Sequence, residues 1–118
     1  MSTTNIQIAA QFRSIRTTIG EAISALMAHE LTHRAAGRTA EADAFERERL
    51  RLNHRSGELY AKERSALLSG SLAPYVSDIT KIRKQATRAK RNIDRINKAL
   101  EVAGKLLDLL GKLIDLIG

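Results

Sequence analysis

ITKIRKQATRAKRNIDRINKALEVAGKLLDLLGKLIDLI, residues 79–117, decides the fold. Along it an apolar side chain returns at alternating steps of three and four: Ile79, Ile82, Ala86, Ala89, Ile93, Ile96, Leu100, Ala103, Leu107, Leu110, Ile114 and Ile117. A seam of period 3.5 held over this length favours a helix that supercoils against partners. Its last part is a near repeat, with GKLLDLL at 104–110 followed by GKLIDLI at 111–117.

The chain has 118 residues, the size of one helical domain. Phe12, Phe45, Tyr60 and Tyr75 are its aromatic residues. The expected core is therefore Leu, Ile and Ala, as in helical bundles. Absence of Cys rules out disulfides, thiolate metal sites and cysteine nucleophiles. The start, MSTTNIQIAAQF, has neither the basic nor the apolar region of a signal peptide, so a cytoplasmic location is the expectation, with signal-free export leaving no mark. No uninterrupted apolar run reaches the ~18 residues of a membrane span. The net charge of +7 suits nucleic acid or an anionic surface without selecting either.

Upstream of the seam, Thr4-Asn5-Ile6-Gln7 reads as a capping box that opens the first helix. Ile8, Phe12, Ile15, Ile19, Ile23 and Leu26 then form one apolar stripe. Gly37 ends this helix and Thr39 is expected to cap the next, with Glu41 and Asp43 in its first turn. The second helix is more polar. Its stripe is Phe45, Leu52, Leu59 or Tyr60, and Leu67, interrupted by Ser56 and Glu63. Ser69–Pro74 makes the second turn, and Pro74 fits only a first helical turn. Gly20 and Gly57 fall nearly level across the hairpin, which suggests a close helix crossing.

The fold expected is all-α: an antiparallel hairpin of helices at about 5–36 and 40–69, plus a longer helix at about 74–117, in one extended, coiled-coil-like three-helix bundle. In that arrangement residue 104 arrives at the far end of the hairpin, and residues 104–118 overhang as an amphipathic extension. A fold-back at Gly104 is the alternative.

His29-Glu30-Leu31-Thr32-His33 matches HExxH and resembles the zincin metallopeptidases. The resemblance implies His29 and His33 as zinc ligands and Glu30 as general base. Glu41-Ala42-Asp43-Ala44-Phe45 faintly echoes the segment with a third, glutamate ligand. Thr39 stands where the longer metzincin pattern has a third His, and no strand is legible to hold a substrate. In the hairpin register Asp43 falls level with His33 and Arg47 with His29. The residues also have a structural reading. Glu30 and His33 lie within the apolar stripe and His29 at its flank, where a polar layer paired to Arg fixes register.

Between Lys81 and Lys98 the chain is strongly basic, with Asp94 the one acid. No aromatic lies among these residues to stack bases, and nucleic acid is the weaker reading of this face. A solvated face, partly balanced by the acids at 41–48, is expected instead.

The tail differs in kind. A second row, Val102, Leu106, Leu109, Leu113 and Leu116, joins Ala103, Leu107, Leu110, Ile114 and Ile117 of the seam. These ten residues are the candidate interface. The polar strip, Glu101, Lys105, Asp108, Lys112 and Asp115, alternates in sign and suits helix pairing. The function read from the sequence is non-enzymatic and needs no cofactor: self-assembly, or binding of a helical partner, through the C-terminal amphipathic helix. A membrane-active helical protein is the alternative and a small zinc hydrolase the second alternative.

Overall fold

The computed structural model describes residues 3–118 and contains four α-helices: α1 Thr3–Ala35, α2 Thr39–Ser69, α3 Val76–Lys90 and α4 Ala99–Ile117. The protein is all-α, and no strand occurs among the described residues. α1 and α2 form the expected antiparallel hairpin. A short 3-10 turn at Ala73–Tyr75 carries Pro74 and feeds α3.

The third helix is not continuous. It breaks into α3 and α4, and the break lies at 91–98 rather than at Gly104. The connection makes successive i→i−3 turns: Ile93 N–H donates to Lys90 (3.0 Å), Arg95 to Asn92 (3.1 Å) and Lys98 to Arg95 (2.9 Å). Most backbone groups thus stay paired, so the break costs little. Asn92, Asp94 and Asn97 favour it, because short polar side chains compete with the helical ladder.

α1 packs on α2 and α3, and α4 packs on α2 and α3, which makes a four-helix bundle. Arg83 bonds to Gln11 and Lys90 to Glu21, so α3 runs beside α1 in the same direction. α4 returns along α2 until Gly118 reaches Lys62. The long dimension of 52 Å matches the ~50 Å of a 33-residue helix. The overhang expected at 104–118 does not exist.

The reason is burial. Ala99, Val102, Ala103, Leu106, Leu110, Leu113 and Ile114 are all buried in the chain's own core. Burying each Leu or Ile contributes about 1.5–3 kcal/mol, more than a straight but solvated helix recovers. The core arc of α4 is shifted from the seam: it shares Ala103, Leu110 and Ile114 with it and adds Val102, Leu106 and Leu113 of the second row. Ile93 is buried, but the next two seam positions, Ile96 and Leu100, are 45% and 40% exposed.

The rest of the core follows the sequence stripes. Ile8, Phe12, Ile15, Ile19 and Leu26 of α1 meet Phe45, Leu52 and Leu59 of α2, whereas Tyr60 is exposed. Glu63 is buried and ion-paired with Arg16, whose guanidinium also lies 5.1 Å from the Tyr60 ring centre.

Gly37 and Gly70 follow the ends of α1 and α2 with φ of 77° and 71°, where a Cβ is strained. Arg38, not Thr39, occupies the position before α2, and no side chain caps it. Thr4 lies inside α1, which begins at Thr3, so it does not stand at the capping position expected for it.

The crossing expected at Gly20 and Gly57 is absent: a Cβ at either would meet nothing within 4 Å. Both lie on exposed helix faces. Gly20→Ala and Gly57→Ala are each expected to stabilise the fold by about 0.5–1 kcal/mol, by removing backbone freedom from the unfolded chain. Thermal denaturation measures this, and a lower midpoint for either variant would reinstate the close crossing.

Candidate functional site

The HExxH residues occupy the last turns of α1, against the start of α2. Phe45 sits between the two imidazoles: its ring centre is 5.3 Å from each, tilted 34° to His29 and stacked at 19° on His33. Glu30 is buried beside them. One carboxylate oxygen accepts from Arg49 Nε at 3.0 Å and the other from Arg34 Nε at 3.3 Å. Arg34 also reaches Asp43 (3.0 Å) and Glu46 (2.7 Å). The hydrogen bond to Asp43, aided by Glu30, raises the pKa of its guanidinium.

One ring nitrogen of each imidazole has a partner too. Nδ1 of His33 accepts from Arg38 Nε at 2.7 Å. Nε2 of His29 lies 2.8 Å from the Ile93 carbonyl, and a carbonyl only accepts, so this nitrogen carries a hydrogen. Both oxygens of the would-be general base are held by guanidinium donors, and among the described residues no three His, Asp or Glu side chains converge as ligands. The donor set therefore does not fit a zinc ion. It fits a polar layer that holds α1, α2 and the α3–α4 connection in register. His54 stands apart and pairs with Glu58.

Asp43, expected level with His33, pairs its carboxylate with Arg34. Neither the Phe45 contact nor the Ile93 carbonyl is evident from the motif. The first follows from the hairpin register. The second requires the fold-back, which the unbroken seam conceals.

The ten candidate interface residues are not an exposed surface. Val102, Ala103, Leu106, Leu110, Leu113 and Ile114 are buried, and Leu107, Leu109, Leu116 and Ile117 are half-buried against the same core. Two grooves flank α4. The one against α2, about 890 Å³, has Leu50 and Leu107 at its apolar part, with Arg47, Arg51 and Arg55 on one wall and Asp108 and Asp115 on the other. The one against α3, about 580 Å³, is lined by Arg88, Lys98, Lys105 and Lys112, with Glu101 and Asp108 as its acids.

The basic stretch is less balanced than the sequence suggested. Asp43 and Glu46 pair with Arg34, and Glu48 pairs with Arg51, on the α1–α2 side of the bundle. α3 keeps Lys81, Lys84 and Arg88 exposed on its outer face, and exposed Arg91 follows its end. No described helix is long and apolar enough to cross a membrane.

No protein-family model, no curated protein and no solved structure matches the chain.

Proposed function

We propose that the protein acts without catalysis, as a helix-pairing module whose working element is α4. In the closed bundle α4 covers the core. In the working state α3 and α4 straighten into one helix, whose seam pairs with that of a second copy.

One observation carries this reading. The seam is unbroken in sequence, yet the bundle leaves its central positions Ile96 and Leu100 in solvent. In a straight helix these two side chains join the seam, which gives them a helical partner that the closed bundle does not. The connection has no Gly or Pro to forbid a helix. Opening exposes the core arc of α4 together with the seam, so pairing must bury both, and the closed state is the resting one.

The test alters the connection alone. Asn92→Ala, Asp94→Ala and Asn97→Ala together favour a straight helix by about 2 kcal/mol in summed propensity. The triple variant is expected to associate at roughly 900-fold lower concentration than the parent chain, about thirtyfold for each of the two copies that must straighten, measured by analytical ultracentrifugation over a dilution series. The double variant Asp94→Gly/Asn97→Gly is expected to shift the other way. Identical size distributions for all three proteins would remove the proposal.

A further inference from the structure

The turn between α3 and α4 brings together two features, exposed aliphatic side chains and cations without partners. Ile96 and Leu100 stand 45% and 40% exposed, and Arg91, Arg95 and Lys98 surround them in sequence, all exposed. The cationic outer face of α3 leads into this tip, because Lys81, Lys84, Arg88 and Arg91 recur at steps of three and four and so share one side of the helix. Arg88 borders the groove that holds Glu101 and Asp108 of α4, and Asp94 is the one acid between Lys81 and Lys98, but among the described residues none of these acids forms an ion pair with that side. The residues of α3 that turn towards α1, Arg83 and Lys90, are the ones bonded to Gln11 and Glu21. Among the described residues Arg88, Arg91 and Arg95 form no side-chain ion pair, and Lys98 has only a 3.8 Å contact with exposed Glu101.

The geometry points to the α3–α4 tip as a docking element for an anionic bilayer surface. Two signals meet there, and stable attachment to a membrane needs two. Each Lys or Arg near an anionic leaflet contributes roughly 1 kcal/mol, and two aliphatic side chains between the cations reach the headgroup–acyl boundary. Nucleic acid answers only the first signal. Its phosphates attract the cations, but α3 and α4 hold no aromatic side chain to stack a base and Ile96 and Leu100 would stay in water. Since no described helix suits a transmembrane span, docking is peripheral. It uses the closed bundle and does not depend on α4 opening.

The test is co-sedimentation of the full chain with vesicles of phosphatidylcholine alone and of phosphatidylcholine with about 30 mol % phosphatidylserine. Wild type is expected to partition at least about tenfold more strongly onto the anionic vesicles, and to be released by salt. Arg91→Gln/Arg95→Gln is expected to weaken that binding by about twentyfold, near fivefold for each cation, while Arg91→Lys/Arg95→Lys retains it. Ile96→Ser/Leu100→Ser is expected to weaken it about tenfold or more with an unchanged far-ultraviolet circular dichroism spectrum. Equal partition onto both vesicle types overturns the inference. So does wild-type binding by the serine variant, or tighter binding to a duplex oligonucleotide that the serine variant retains. A chain that associates in the dilution series yet ignores vesicles loses this inference and keeps the helix-pairing one; a chain that binds vesicles but stays monomeric does the reverse.

Discussion

Removal of residues 99–118 is expected to abolish cooperative folding, leaving a helical but loosely packed chain. α4 is not an appendage. It supplies Val102, Leu106, Leu110, Leu113 and Ile114 to the core, and packs on both α2 and α3. Each buried aliphatic side chain contributes about 1.5–3 kcal/mol, while a domain of this size has about 5–15 kcal/mol of net stability. The loss exceeds the margin. Point variants grade the effect: Leu106→Ala or Leu110→Ala is expected to cost about 2–5 kcal/mol, since both are essentially unexposed. Thermal melts followed by circular dichroism measure it. A sharp, unshifted transition in the truncated chain would show that α1–α3 fold alone and that α4 is only loosely seated.

The second large effect concerns Arg16 and Glu63. Glu63 is buried, its Oε1 pairs with Arg16, and its Oε2 has no hydrogen-bond partner. Burial lowers the pKa of the Arg16 guanidinium, against an opposing effect of Tyr60. Two charges withdrawn from water recover their hydration only when fully bonded, and this pair is not. The double replacement Arg16→Met/Glu63→Leu is therefore expected to be more stable than the parent by about 1–4 kcal/mol. Glu63→Leu alone leaves the guanidinium without its partner. Because Arg16 keeps 27% of its side-chain surface exposed, that cost is limited to about 1–3 kcal/mol. Urea denaturation of the parent and the single and double variants closes the cycle. If the double variant is the least stable of them, the pair is a net stabiliser and the unmatched oxygen finds a partner in solution.

Helix type and position along most of the chain were legible from the residues themselves. The apolar stripe of α1, the glycines past the ends of α1 and α2, and Pro74 before α3 are local signals, and local signals report backbone preference directly. The polar layer was legible in part: Glu30 and His33 interrupt an apolar stripe, and buried polar groups must find partners. Which partners they find was not. Arg49, Arg34 and Phe45 meet them through the hairpin register, and the Ile93 carbonyl reaches His29 only because the chain turns back.

That turn is what tertiary structure alone decided. Residues 79–117 satisfy the period of one long helix at every seam position, and no Gly or Pro marks the break at 91–98. Periodicity describes which side chains share a face; it does not say whether that face is wide enough for one neighbour or two. On α4 the seam and the second row together demand two neighbours. α2 and α3 provide them within the same chain, at a local concentration no second molecule matches, and the helix breaks where Asn92, Asp94 and Asn97 hold it least.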